Sequence, residues 1–317
     1  MKIMDQRAVM VQAHGKINLT LDVVGKRNDG YHDILSIMQS ISLHDRMRLS
    51  LTGTDISVAC NHPEVPANEE NLVFRAAQEL HRVTRVKAGV HIQLSKGIPV
   101  AAGLGGGSAD AAAVLLGLNK LWNTGLSQDQ LQEIGQSLGA DVPFCLMGGT
   151  ALAEGIGERL TPLPALPQQW LVLVKPPFGV STREIYEAYD SAAIPVRPDT
   201  AAVLRSIRRG DFSGAVAGAG NVLEQVTASL YPEVAEIIAS LKTKGAKKVF
   251  MCGSGPTVCA FVENRPAAEN LKKQYPGYPG KIHIANTTAR GNMFLVRLRR
   301  GEKCGRKETF TNTAGKL

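Results

Sequence analysis

From Lys16 to Val23 the chain reads KINLTLDV, with Ile17, Leu19, Leu21 and Val23 alternating with Lys16, Asn18, Thr20 and Asp22. A period of two marks a half-buried strand and sends Lys16 and Asn18 to one face. Asn28-Asp29-Gly30 is a turn signal, and the extended pattern resumes in YHDILSIMQSISL, which predicts a hairpin or a pair of sheet strands. NLVFRAAQELHRVT then reads as a helix and GVHIQLSK as a strand. Further on, Ala111, Val114, Leu115, Leu118, Leu121 and Trp122 recur at helical spacing and predict a single apolar stripe. Ser127 and Gln130 form a capping-box pair and Leu126 with Leu131 a hydrophobic staple, so a helix is expected from Gln128 to Leu138, ended by Gly139.

The segments ADVPFCLMGG and the strand-like TALAEG follow, and then LTPLPALPQQW, with three prolines and no periodicity, marks a boundary near residues 161–169. Beyond it WLVLVKP is a strand and REIYEAYD a helix; residues 199–209, 211–225 and 231–243 read as helices. KKVFMCGSGPTVCAFVE is a strand, a glycine turn and a strand, RPAAENLKKQY a helix, and KIHIANTT a last strand. Strands alternating with helices in both halves predict an α+β chain of two domains, 1–165 and 166–298, with 299–317 as a tail.

Composition narrows the class. With 317 residues and 44% hydrophobic content there is material for a full core. No apolar run is long enough to span a membrane, and the start, MKIMDQRAVMVQ, has no apolar block followed by small residues, so the expected address is the cytoplasm. Cys60, Cys145, Cys252, Cys259 and Cys304 are odd in number and scattered, without a C-x-x-C pair, which speaks for reduced core thiols and against a disulfide framework or a zinc site. The net charge of +8 is uneven: from residue 297 onward seven basic residues face two acidic ones, which leaves +3 for the rest. The basic excess therefore reads as a solvated extension, with a nucleic-acid surface as the alternative.

The densest chemical signal is IPVAAGLGGGSADAAAVLLGLNKLW, with Gly103, Gly105, Gly106 and Gly107 at the mouth of a helix. Glycine is tolerated at such density where φ is unusual or where a ligand approaches the main chain, and a helix N-terminus offers free N–H groups to phosphate. A dinucleotide fingerprint would need a further glycine at Ser108, and a P-loop would need a lysine that is absent; neither fits. A tight strand-to-helix turn is the plain alternative. Ser108 suits an N-cap or a hydroxyl beside phosphate, and Asp110 so close to a triphosphate implies a divalent cation, Mg²⁺.

These residues resemble the phosphate loop of the GHMP kinases, a family of small-molecule kinases. Two further signatures of that family occur in order, GKINLTLDV and MCGSGPTVCAFV, so the similarity spans residues 15–262. The resemblance implies a two-domain architecture: an N-terminal domain like the second domain of ribosomal protein S5, a C-terminal ferredoxin-like domain, and substrates in the cleft between them. It also implies transfer of the ATP γ-phosphoryl group to an alcohol. The flanking segments KINLTLDVVGKRNDGYHDILSIMQSISLHD and GADVPFCLMGGTALAEGIGERLTPL are similar to the branch whose acceptor is a cytidine diphosphate-linked methylerythritol. In that branch the phosphate goes to the C2 hydroxyl, in the non-mevalonate route to isoprenoids.

Carried over residue by residue, the resemblance gives Asp141 as proton acceptor and Lys16 as catalytic lysine. The main chain of Gly103, Leu104, Gly105, Gly106, Gly107, Ser108 and Ala109 becomes the phosphate cradle, and Asn71, Leu72 and Lys96 the lining of the adenine pocket. Asn18 would orient the acceptor hydroxyls, Tyr31 and Tyr186 would stack on cytosine, His32 would bond the base edge, and Gly253, Ser254 and Gly255 would pack beside the phosphate loop. Each has a plain reading: an N-cap for Asp141 or Asn71, a solvent-facing strand lysine for Lys16, a surface lysine for Lys96, turn residues for Tyr31 and His32, a core ring for Tyr186. No metal ligands are assigned. The expected co-substrates are ATP with Mg²⁺ and a small molecule, with no nucleic acid and no membrane, the chain being a monomer or a weak homodimer. Rival readings are another GHMP kinase, which would lack the cytosine site, and a non-catalytic nucleotide or RNA binder.

Overall fold

The computed structural model describes residues 8–193 and 196–289 and the backbone of 296–297. The tail expected at 299–317 and Cys304 lie outside these residues. The first half runs β1 (Ala8–Lys26), β2 (His32–Thr52), β3 (Ile56–Cys60), α1 (Leu72–Thr84), β4 (Gly89–Ser95), α2 (Gly106–Leu121), α3 (Gln128–Leu138), α4 (Val142–Met147), β5 (Thr150–Glu154) and β6 (Arg159–Pro162). The second half runs β7 (Trp170–Lys175), α5 (Thr182–Tyr189), α6 (Thr200–Arg208), α7 (Phe212–Ala217), β8 (Gly220–Asn221), α8 (Leu223–Leu230), α9 (Pro232–Thr243), β9 (Lys248–Met251), β10 (Val258–Val262), α10 (Arg265–Lys273), β11 (Lys281–Asn286) and β12 (Val296–Arg297). Among the described residues no helix is long and apolar enough to cross a membrane.

The predicted hairpin is the spine of the first sheet. β1 and β2 pair antiparallel from Ala8↔Ser50 to Lys26↔His32, closed by a turn in which Gly30 takes a φ of +85° and the Tyr31 amide donates to Asp29 Oδ1 at 3.0 Å. The strand order is β12-β1-β2-β4-β3, and β5 with β6 extends from β2. One expectation for β1 fails: between Asn18 and Thr20, which face Met38 and Ile37, β1 carries an extra residue, a β-bulge. A bulge re-aims every later side chain. Ile17 and Leu19 therefore enter one apolar cluster and Leu21 and Val23 another, and the strand is buried on both faces rather than one.

α2 also departs from a single stripe. Ala109 and Ala111 to Leu115 are fully buried, because the helix lies between the sheet on one side and α1, α3 and α4 on the others. A Cβ on Gly117 would come within 2.3 Å of Leu49 Cδ1, so the missing side chain sets the helix-to-sheet distance. Each buried Leu or Val of this helix contributes roughly 1.5–3 kcal/mol of apolar burial. α3 begins as its sequence requires: both hydrogen bonds of the Ser127–Gln130 capping box form, and Gly139 caps the end.

The second sheet is antiparallel, in the order β11-β7-β10-β9. Numbered within the unit as strands one to four, that is 4-1-3-2, the order of a ferredoxin-like βαββαβ unit. Two readings are corrected here. β6 occupies the start of the proline-rich stretch, and the helix expected over 211–225 is broken at Gly218-Ala219-Gly220, where β8 pairs in parallel with Thr20 and Leu21 of β1. The sheets are welded by one core: Ile17, Leu19 and Ile37 of the first sheet pack with Leu171, Leu173, Phe250 and Phe261 of the second, and Ile98, Ala102 and Leu104 lie in the same cluster. The glycine loop is thereby anchored over the joint between the two sheets.

Candidate active site

A cleft of about 1150 Å³ opens above that joint. Of the residues singled out from sequence it is bordered by Lys16, Asn18, Tyr31, His32, Asn71, Leu72, Lys96, Gly103 to Ser108, Asp141, Tyr186, Gly253 and Ser254. Ala109 is fully buried, and its amide donates to the Gly105 carbonyl at 2.8 Å, so it serves the helix.

The glycine-loop end of the cleft is backbone fitted to backbone. Gly105, at φ +67°, is the N-cap of α2 and provides no side-chain cap, so the cap expected of Ser108 does not form. The first amides of α2, from Gly106 to Ser108, therefore have no intrahelical acceptor and sit at the positive end of a sixteen-residue helix. A Cβ on Gly103 would meet the Cys252 carbonyl oxygen at 2.1 Å, one on Gly105 the Lys16 Cγ at 2.9 Å, and one on Gly253 the Gly103 carbonyl oxygen at 2.9 Å. The third motif is held from below. Asn221 Nδ2 donates to the carbonyls of Met251 and Gly253 at 2.8 and 2.7 Å, and Thr227 Oγ1 donates to that of Ser254 at 3.2 Å.

Opposite the amides stands an ion pair. The register shift between His14 and Lys16, where β2 carries the extra residues, and the Lys16 amide, which donates to the Leu104 carbonyl at 2.9 Å, turn the Lys16 side chain under the loop. Its Nζ lies 3.1 Å from Asp141 Oδ2 and donates to Asn18 Oδ1 at 2.9 Å; Asn18 Nδ2 in turn donates to Ser36 Oγ at 2.8 Å. The Lys16 side chain is 6% exposed, so its charge depends on that partner. Asp141 stands at the N-cap position of α4 but makes no side-chain cap hydrogen bond. Its carboxylate, 30% exposed, faces Lys16 and the cleft instead.

Asn71 and Lys96 border the cleft with their polar groups engaged. Asn71 caps α1, accepting from Val73 N at 2.9 Å and donating to Pro66 O at 2.7 Å. Lys96 Nζ lies between Asp45 Oδ2 at 2.5 Å and Asp110 Oδ2 at 2.7 Å, both buried. Burial would pull the Lys96 ammonium down, but the charges of Asp110 and Asp45 raise it. Asp110 thus has its countercharge inside the protein, and its Oδ1 has no hydrogen-bond partner.

At the far end Tyr31 projects from the hairpin tip, 60% exposed, while His32 is buried against Tyr186, ring centroids 5.0 Å apart at 32°. Burial first, and then the Asp141 charge, push the Tyr186 phenol up. Sequence reasoning missed the polar partners here. His32 Nε2 lies 2.7 Å from Asp190 Oδ1, and Lys26 Nζ 2.6 Å from Asp190 Oδ2. Thr182 Oγ1 lies 2.9 Å from Ser254 Oγ and links α5 to the third motif. One signal for Asp190 was available: an acid at a helix C-terminus opposes the helix dipole, so helix chemistry gives no reason for it.

The family model described as GHMP kinases N terminal domain matches residues 71–149, and that described as GHMP kinases C terminal matches residues 202–279. A Pelotomaculum thermopropionicum protein named 4-diphosphocytidyl-2-C-methyl-D-erythritol kinase is 50% identical over 276 residues, covering 87% of this chain and 96% of its own length. A Moorella thermoacetica protein of the same name is 49% identical over 271 residues, covering 83% and 95%. A crystal structure titled 4-(cytidine 5'-diphospho)-2C-methyl-D-erythritol kinase superposes with a TM-score of 0.74 at 32% identity, over 88% of this chain and 98% of that one. The homoserine kinase of Cytophaga hutchinsonii, at 16% identity and a TM-score of 0.71 over 93% of this chain and 99% of its own, shares the fold. With half its residues identical to a relative across nearly the whole of that relative's length, and with the two-domain fold to match, the chain belongs to the GHMP kinase family.

Proposed function

We propose that this chain transfers the γ-phosphoryl group of ATP to the C2 hydroxyl of 4-diphosphocytidyl-2-C-methyl-D-erythritol, giving the 2-phosphate and ADP, in the non-mevalonate route to isoprenoid precursors. The observation that carries it is the Lys16–Asp141 pair at 3.1 Å, beneath a loop whose free amides face the same cleft. Phosphoryl transfer asks a protein for alignment, a proton acceptor and positive charge. Asp141 accepts the proton of the attacking hydroxyl, and Lys16 holds that carboxylate in place and bears on the charge that develops on the moving phosphoryl group. The amides of Gly106, Gly107 and Ser108 bind the triphosphate oxygens. Asn18, fixed by Lys16 and Ser36, is placed to orient the acceptor polyol. Tyr31, His32 and Tyr186 hold the cytosine by stacking and edge contact, at the end of the cleft away from the loop.

Among the described residues no three His, Cys, Asp or Glu side chains converge on one point. That suits Mg²⁺ carried on the triphosphate, because this ion keeps waters and substrate oxygens and takes one or two protein oxygens. Asp110 Oδ1, buried and unpartnered behind the loop, is a fitting donor, and Ser108 Oγ would hold the ion with it. When bound it neutralises phosphate charge.

A coupled ADP-release assay across several alcohols tests the reading: the cytidylyl substrate, the same methylerythritol phosphate without cytidine, homoserine and mevalonate. Turnover is expected with the first alone. Equal rates with the compound lacking cytidine would overturn the acceptor assignment.

A further inference from the structure

The base end of the cleft contains a charge relay that the phosphoryl transfer does not use. The His32 side chain is 5% exposed, with Nε2 at 2.7 Å from Asp190 Oδ1, while the other oxygen of Asp190 takes a hydrogen bond from Lys26 at 2.6 Å. Lys26 ends β1, His32 begins β2 and Asp190 caps α5, so three elements meet on one imidazole. The hydrogen bond from Lys26, and after it that from His32, hold the Asp190 carboxyl below the usual carboxylate range, so it is an acceptor at neutral pH. An acceptor there requires the proton on Nε2. Tyr186 at 5.0 Å and 32° and Tyr189 at 6.3 Å and 86° flank the ring and keep it from turning over. No hydrogen bond to Nδ1 is made among the described residues, and the residue borders the cleft.

We propose that Asp190, braced by Lys26, is a positioning residue that fixes His32 as the Nε2–H tautomer and so makes the site select a base with an amino group, cytosine, over one with a carbonyl at that place, uracil. This rests on the acceptor assignment above and deepens it. A lone pair on Nδ1 accepts from the exocyclic amine of cytosine. The same lone pair faces the O4 carbonyl of uracil, two acceptors with no proton between them, and a buried polar pair left unmatched is penalised more than a missing contact.

The test is calorimetric titration of the full chain with CDP and with UDP, each with ADP saturating the phosphate loop, backed by ¹⁵N spectra of the imidazoles. The unsubstituted chain is expected to prefer CDP by roughly ten- to a hundredfold, a preference that falls to about threefold or less in Asp190→Asn. In that variant KM for the cytidylyl substrate rises while kcat holds, which a merely structural residue would not produce. The ¹⁵N signals of His32 should show a proton on Nε2 and none on Nδ1 in the unsubstituted protein, a reading that needs no variant to fold. An Asp190→Asn protein with undiminished preference for CDP, or a His32 protonated at Nδ1 alone, overturns the proposal and leaves the acceptor assignment standing. Equal binding of both nucleotides by the unsubstituted chain overturns the acceptor assignment and this proposal with it.

Discussion

At the glycine-loop end of the cleft the groups we propose to face the triphosphate are main-chain amides, whereas at the other end those we propose to face the base are rings and a charged chain of side chains. The glycine loop has carbonyls where a methyl group would have to go, and it shares a core cluster with residues of both sheets. The base end hangs from a hairpin tip and a helix terminus: Tyr31 is 60% exposed and Gly30 has nothing within 4 Å of where its Cβ would stand. Amides at a helix start answer to the charge of a triphosphate and carry no information about the acceptor. Side chains distinguish one acceptor from another, and they are hung where exchange does not disturb the core.

If the contrast is sound, the largest effect comes from the acid that stands opposite the amides. Asp141→Asn should lower kcat roughly 10²- to 10⁴-fold while ATP affinity, measured by titration, changes by about twofold at most, since the amides are untouched. A variant that turns over normally would remove Asp141 from the chemistry and leave it a helix-terminal residue. Next is Gly103→Ala, with a φ of +73° and a backbone oxygen 2.1 Å from the new Cβ. It should cost roughly 2–4 kcal/mol in a denaturant melt. Gly30→Ala is its control: φ is +85°, the surroundings are open, and the cost should be only about 1 kcal/mol. Equal losses would mean that backbone conformation, and not the backbone fit between the loops, sets the sensitivity.

These positions also show where the sequence was informative. Four clustered glycines announce a ligand-facing helix start without any partner structure, and Ser127 with Gln130 announces a helix start because capping is a contact between near neighbours. Lys16 and Asp141 lie 125 positions apart in the chain, and only the resemblance paired them before the structure did. The bulges in β1 were invisible, since alternation continues in the letters while the backbone inserts a residue and turns the faces over. The break at Gly218 to Gly220 was lost because β8 gains its hydrogen bonds from a strand two hundred residues earlier. Asp190, Lys26 and Asp45 were missed for the same reason: their partners are distant in sequence, and a charged letter in isolation reads as surface.

At the base end the effects should be smaller and confined to binding. Tyr31→Ala removes one stacking face and should raise KM for the cytidylyl substrate roughly 5- to 100-fold, with kcat and melting temperature nearly unchanged. An unmoved KM would take Tyr31 out of the base site and leave Tyr186 and His32 to hold cytosine alone. A fall in melting temperature comparable to that of Gly103→Ala would erase the distinction between the two ends.

The subtlest test lies behind the glycine loop, where the charge of one buried side chain should weigh against stability. Asp45 and Asp110 share Lys96, but Asp45 also accepts from the amides of Gly97 and Ile98 at 2.5 and 2.8 Å, whereas Asp110 Oδ1 accepts from nothing. Burial pushes the Asp110 carboxyl well above the usual carboxylate range; Lys96 pulls it back and Asp45 pushes it further. The sign follows from linkage. With its affinity for a proton raised on folding, the folded chain holds more protons than the unfolded one between the ordinary carboxylate range and the raised value, so stability falls as pH rises through that window. Asn at 110 has no proton to hold and lacks that slope. At pH 8 Asp110→Asn should melt about 2–4 °C above the unsubstituted protein, on the order of 1 kcal/mol, and the gap should close as the pH is lowered. Asp45→Asn should melt lower at every pH, because Asn keeps an oxygen for the amides of Gly97 and Ile98 but turns an NH₂ group toward the Lys96 ammonium in place of Oδ2. An Asp110→Asn protein that melts lower at pH 8 would mean that the ionised acid braces the loop through Lys96, and that the phosphate end depends on a side chain as strictly as on its glycines.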